Sequence, residues 1–288
     1  MTNHETGFAP VNGTELYYER AGSGDAVVLL HTGNGNTTIW DGQFEDLAED
    51  YTVVRYDCRG FGRSGYPDEP YQSADDLAAL LDHLGIERAH VIGPSFGGRI
   101  AVEFAVLHPA RVRSLLLAAP VSREHEWTDE VNTNRMAEED LIWAGDDDKA
   151  LDISLGSWVA GPKRTLADMD PTLIARLRIT ATAGYDRRRR TVAETGNEPD
   201  ELELVPNAAE RLGSLQVPTL VLIGGMDQPD AIEIGERLAR DIPGARAEYI
   251  DDLGHMITME RPEEFLQKAR AFLAEAARAE AARAEAAR

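Results

Sequence analysis

Short apolar runs alternate with helical patterns along most of this chain, and that alternation constrains the fold more than any other feature. AVVLLH (26–31), YTVVRYD (51–57), AHVIG (89–93), RSLLLAAP (113–120), PTLVLIG (218–224) and ARAEYID (245–251) have the length of strands in a sheet. The continuous apolar character of AVVLLH is that of a strand buried on both faces. TELYYER (14–20) reads as an opening strand. Between the runs, DLAALLDHLG (76–85), GGRIAVEFAVLHP (97–109), AIEIGERLARDIP (231–243) and PEEFLQKARAFL (262–273) carry helical spacing, the last with Pro262 at a first helical position. Strand alternating with helix implies an α/β fold, with a mostly parallel central sheet covered by helices on both faces.

The alternation stops between about Val121 and Gly213. NRMAEEDLIWAG and PTLIARLRITATAG in that stretch have helical apolar spacing, so we expect an inserted helical lid over the strand ends. The expected organisation is a core formed by residues 1–120 and 214–273, a lid over 121–213, and a tail over 274–288. The lid carries Trp127, Trp143 and Trp158, which either line a pocket or pack within the lid. RRRR (187–190) reads as a solvated helix face. The tail, AEAARAEAARAEAAR, repeats every five residues. On a helix its glutamates rotate around the axis and no apolar stripe persists, so it is expected to project without docking, supported weakly by pairs such as Glu275 with Arg278.

A chain of 288 residues with 43% hydrophobic content can bury a full core. Its net charge of −22 argues against nucleic acid as a partner. Cys58 is the only cysteine, which excludes an intramolecular disulfide, suggests a reducing compartment and reads as an inert thiol at a strand end. There is no run of signal-peptide or membrane-spanning length, so a cytoplasmic protein with no membrane partner is expected. No H-E-x-x-H and no cysteine pair support a metal site, and no G-x-G-x-x-G opens a helix after the first strand. No cofactor is expected.

IGPSFGGR (92–99) holds a G-x-S-x-G at a strand-to-helix junction, the context of a nucleophile elbow. Ser95 is the candidate nucleophile, with Gly93 and Gly97 keeping the turn tight. A serine hydroxyl needs a base. His255, in DDLGHMITMERP after the last strand, emerges at the same C-terminal sheet edge. His31 ends a strand at that edge too. His83, His90 and His108 read as structural, and His4 and His125 as exposed. Asp227, just after PTLVLIG, is the candidate orienting acid, with Asp230 as its rival and Glu124 as a lesser one. The order Ser95, Asp227, His255 is that of nucleophile-elbow hydrolases. The backbone amide of Phe96 and one from the loop HTGNG (31–35), Gly33 or Asn34, are the candidate oxyanion donors.

These stretches resemble the α/β-hydrolase fold superfamily over residues 8 to 273. GPSFGG is similar to the nucleophile elbow, HTGNGNTTIW to the oxyanion loop that usually begins His-Gly, and YDCRGFGRSG to the D-x-R-G-x-G-x-S signature. GGMDQPD and LGHMITMERPEEF are similar to the acid and histidine loops. The nearest likeness is to small bacterial hydrolases of the 3-oxoadipate enol-lactonase kind and to esterases. The resemblance implies Ser95 as nucleophile, His255 as base and Asp227 as acid, with Gly33 facing the oxyanion. It gives Asp57, Arg59, Gly60 and Ser64 a structural part. Pro94 departs from the usual polar residue before the serine, and Thr32 from the usual glycine after the histidine. The Thr32 hydroxyl could bond a substrate or the loop itself.

The expected function is hydrolysis of a carboxylic ester or lactone, a small-molecule substrate, through an acyl-enzyme on Ser95. Thr32, Trp127, Trp143 and Trp158 are the candidate substrate contacts. The alternative is a ligand receptor, lyase or cyclase using the same pocket.

Overall fold

The structure, a computed structural model, describes residues 4–66, 69–196, 201–203 and 207–286. Eight strands form one sheet in the order β1-β2-β4-β3-β5-β6-β7-β8. They are β1 Glu5–Val11, β2 Thr14–Ala21, β3 Ala26–Leu29, β4 Thr52–Tyr56, β5 Ala89–Pro94, β6 Val112–Ala118, β7 Thr219–Gly224 and β8 Arg246–Ile250. From β4 to β8 every neighbouring pair is parallel, while β1 and β2 pair antiparallel.

β1 is absent from the strands expected above. Its residues alternate between exposed and buried, so it offers no continuous apolar run. The signal it does leave is Asn12-Gly13, which turns into β2 with φ of 46° and 77°, the pair that suits a two-residue hairpin.

The central runs are apolar throughout because both faces of the sheet are covered. Val28, Val54, Val91 and Leu115 point to one side, where α2 (Ser73–His83), α3 (Phe96–Leu107) and α7 (Pro229–Asp241) pack. Val27, Val53, Ile92 and Leu116 point to the other, towards α1 (Phe44–Leu47), α8 (Ile257–Glu260) and α9 (Pro262–Ala286). Successive residues of a strand alternate sides, so each run feeds two cores at once.

Between β6 and β7 stand α4 (Asp129–Ala144), α5 (Asp147–Leu155) and α6 (Pro171–Thr195). They have small apolar clusters of their own, one of which takes in Met256. Polar ties hold them to the sheet. Arg187 donates to the carbonyls of Phe61, at 3.2 Å, Gly62, at 2.7 Å, and Ser64. Arg164 pairs with Glu260 at 2.6 Å. Three of the four arginines therefore depart from a solvated face, and only Arg190 is exposed as expected. Arg187 reaches back to a core loop, and Arg188 and Arg189 pair with Glu139 and Asp147.

The tail also departs from expectation. α9 continues unbroken to Ala286, Ala276 is buried, and Glu280 pairs with Arg88 and Arg113 at 2.5 and 2.7 Å. Residues four apart share a helix face, so Ala276 and Glu280 both meet the sheet although the repeat has no lasting stripe. Glu275 pairs with Arg246. The tail's last two residues lie outside the described ones. No helix among the described residues is long and apolar enough to cross a membrane.

Candidate active site

β5 ends at Pro94 and α3 begins at Phe96, which leaves Ser95 alone in the turn at φ 49° and ψ −118°. The glycines around it are there because nothing larger fits. A Cβ on Gly93 would lie 2.3 Å from the Gly97 carbonyl oxygen, and one on Gly97 would lie 2.7 Å from that of His31. The Ser95 amide donates to Ala118 of β6 at 3.0 Å. Ladder alternation then turns the Pro94 nitrogen towards β3, where a regular strand would donate to Leu30. The Trp40 indole donates to the Leu30 oxygen instead, at 2.9 Å. The missing amide of Pro94 leaves no orphaned acceptor.

His255 follows β8, and its Nδ1 lies 2.8 Å from Asp227 Oδ2. Both side chains are buried. The other carboxylate oxygen of Asp227 accepts the Gln228 amide at 2.7 Å, which fixes the carboxylate's orientation. A carboxylate at Nδ1 requires that nitrogen to carry the proton, which leaves Nε2 with its lone pair. The two loops can touch because Gly224 and Gly225 have no Cβ. One on Gly224 would sit 2.2 Å from the Gly254 oxygen.

Ser95 and His255 border one cavity of about 490 Å³, together with Thr32, Gly33, Asn34, Trp127 and Trp158. Trp158 lies 4.9 Å from the His255 ring, and Trp127 is edge-on to Trp158 at 5.7 Å. In the loop after β3 the Gly35 amide is taken by the Thr32 carbonyl at 3.0 Å, whereas those of Gly33 and Asn34 donate to no described residue. Phe96 holds the first position of α3, where a helix amide has no intrahelical acceptor. The Thr32 hydroxyl is buried without a hydrogen-bond partner among the described residues.

The family model for the alpha/beta hydrolase fold matches residues 25–262. The chain belongs to that family. It is 28% identical to 3-oxoadipate enol-lactonase 1 of Acinetobacter baylyi, over 86% of this chain and 88% of that one. Among solved structures it is similar to a thermophilic esterase from Thermogutta terrifontis, with TM-score 0.76, 27% identity, and coverage of 94% of this chain and 99% of that one. It is also similar to Est816, described as an N-acyl homoserine lactone degrading enzyme, with TM-score 0.73, 29% identity, and coverage of 92% and 100%.

Within this alpha/beta hydrolase fold, several expected residues have other partners. Asp230 accepts from the Thr128 amide and hydroxyl, both at 2.9 Å, and faces His125 Nε2 at 3.0 Å. It anchors the start of α4, and His125 is thereby mostly buried rather than exposed. Glu124 accepts from Ser122 and the Ala208 amide. His31 is fully buried, with Nδ1 against the Thr32 carbonyl at 2.7 Å and Nε2 accepting the Cys58 amide at 2.9 Å. Burial holds its pKa below the usual value, and both ring nitrogens are spoken for. Burial pushes the Cys58 thiol well up. Trp143 is 43% exposed, bonded to Glu139 and covered by Arg188. It is not on the cavity wall, because α4 turns its neighbour Ile142 inward instead.

Sequence reasoning missed the polar residues that α4, α5 and the start of α3 bring to the cavity. Arg99, one turn beyond Ser95, donates to Glu103 at 2.9 Å and Glu201 at 2.7 Å. Burial raises the Glu103 carboxyl. Burial also acts to raise Glu201, but Arg99 and Arg123 outweigh it and hold that carboxyl low. Asn34 Nδ2 donates to Ser154 at 2.9 Å. Of these, only Arg99 had a sequence signal, its spacing of four from the elbow serine.

Proposed function

We propose that the protein is a serine hydrolase that cleaves a carboxylic ester or lactone of a small molecule through an acyl-enzyme on Ser95. The observation that carries this reading is the 2.8 Å bond from His255 to a buried Asp227, beside the cavity that His255 shares with Ser95 in its left-handed turn. The family and the named lactonase, lactone-degrading and esterase relatives support the same chemistry.

In this mechanism His255 Nε2 takes the Ser95 proton as Oγ attacks the carbonyl carbon. Asp227 stabilises the resulting imidazolium and keeps the ring in the productive tautomer. The amides of Phe96 and of Gly33 or Asn34 receive the oxyanion, each worth roughly 3–4 kcal/mol in the transition state. His255 then protonates the departing alkoxide. Water enters, gives its proton to His255 and releases the acid from Ser95. Helices α4 to α6 act as a lid, with Trp127 and Trp158 forming an apolar wall for the substrate.

The test is turnover by Ser95→Ala and His255→Ala on a panel of simple esters and lactones, alongside their thermal unfolding. Each variant is expected to unfold like the parent and to lose at least about a thousandfold in kcat. Undiminished turnover by Ser95→Ala would contradict the mechanism.

A further inference from the structure

A second cavity, of about 420 Å³, adjoins the Ser95 cavity. Gly33, Asn34, Arg135 and Glu138 border both. The second chamber lies between the loop after β4 and the helices α4 and α6, and its wall carries Arg59, Arg135, Arg187 and Arg188 against two carboxylates, Glu138 and Glu139. In a chain of net charge −22 this is a local reversal of sign.

The partners of these groups separate one cation from the rest. Arg59 is held by Asp76 at 2.7 Å. Arg187 is spent on the carbonyls of Phe61, Gly62 and Ser64. Arg188 forks onto Glu139, which also accepts the Trp143 indole. Glu138 accepts the Tyr185 hydroxyl at 2.7 Å and is bonded to Ser154. Arg135 stands three and four residues before Glu138 and Glu139, the spacing at which helical ion pairs form. Both acids bond other side chains, and exposed Arg135 makes no hydrogen bond or ion pair among the described residues, acting on the two carboxyls only as a nearby charge that works to lower them. Its guanidinium is left on the wall common to the two chambers.

We propose that the second chamber binds a carboxylate carried by the same molecule whose ester or lactone carbonyl reaches Ser95, and that Arg135 recognises it. This rests on the hydrolase reading above and narrows its substrate class to acidic esters or lactones. A planar fork of donors suits a carboxylate, which accepts two parallel bonds from it. Asn34 borders the same chamber with its side-chain amide already held by Ser154, which leaves Arg135 as the donor. The substrate is then bipartite, with its reacting carbonyl in one chamber and its charge in the other.

The experiment measures binding by calorimetry on Ser95→Ala, so that nothing is consumed. The probes are monomethyl esters of straight-chain dicarboxylic acids of five to eight carbons, each set against the methyl ester of the monocarboxylic acid of equal length. At least one acidic probe is expected to bind about tenfold or more tightly than its neutral counterpart, as a charge-assisted pair requires. Adding Arg135→Gln should collapse that ratio to about one, while adding Arg240→Gln, at a distant exposed arginine, should leave it intact. An unfolding curve for the Arg135→Gln variant guards against a folding defect. Equal affinity for both series, binding of neither, or a ratio that survives Arg135→Gln would overturn the proposal. The parent enzyme is assayed for methanol release on the same probes. If it releases none while the preference persists, and the lactones of the simple-substrate panel are also left intact, the hydrolase reading fails and the carboxylate site stands.

Discussion

Ser95 sits at φ 49°, where a Cβ crowds its own backbone and only glycine is at ease. Such a position costs about 1–3 kcal/mol and survives because its surroundings determine it. Here the Ser95 amide is tied to β6 and its carbonyl accepts the Arg99 amide at 3.1 Å. Ser95→Ala keeps the Cβ and the strain, whereas Ser95→Gly removes both. We therefore expect Ser95→Gly to be more stable than Ser95→Ala by about 1 kcal/mol in denaturant unfolding, with both inactive. Equal midpoints would show that the turn is unstrained. At this scale the sequence was informative where a residue's meaning is local. The spacing of Gly93, Ser95 and Gly97 announced the turn. It was silent where meaning depends on a distant partner. Nothing around Pro94 reveals that Trp40, far earlier in the chain, supplies the donor it lacks. Nothing around His31 reveals that Thr32 and Cys58 use up its ring nitrogens.

The loop after β3 and the helices α4 to α6 are joined by a chain of polar contacts. Asn34 bonds Ser154 on α5, Ser154 bonds Glu138 on α4, and Glu138 accepts Tyr185 on α6. Burial raises the Glu138 carboxyl, and the hydrogen bonds satisfy it in place of water. The proposed oxyanion loop therefore takes its position partly from α5. Removing the hydroxyl in Ser154→Ala should loosen Asn34 and lower kcat on a small ester about fivefold, the worth of roughly 1 kcal/mol of hydrogen bonding. Amide exchange over residues 32–36 should rise in parallel. Unchanged kcat together with unchanged exchange would show that the loop holds itself. Helical spacing made these helices legible but not the faces they turn inward. Trp127 and Trp158 meet the cavity and Trp143 does not. Four adjacent arginines look alike in sequence, yet Arg187 takes core carbonyls, Arg188 and Arg189 take Glu139 and Asp147, and Arg190 stays exposed.

Across the whole molecule, the strands that announced themselves most clearly are those buried on both sides. β1 did not, because its place at the sheet edge needs only alternate residues to be apolar. The tail was misjudged for a related reason. One buried alanine, Ala276, and one glutamate, Glu280, which pairs with Arg88 and Arg113, suffice to dock the helix, and neither registers as an apolar stripe. The sheet brings Ser95, Asp227 and His255 from loops far apart in sequence to one edge, and in the proposed mechanism this edge activates the serine. The most direct measurement is the mass-spectrometric location of a fluorophosphonate adduct on the folded protein. A single adduct on Ser95, lost in His255→Ala, is expected. An adduct on another residue, none at all, or one equally strong without His255 would contradict it.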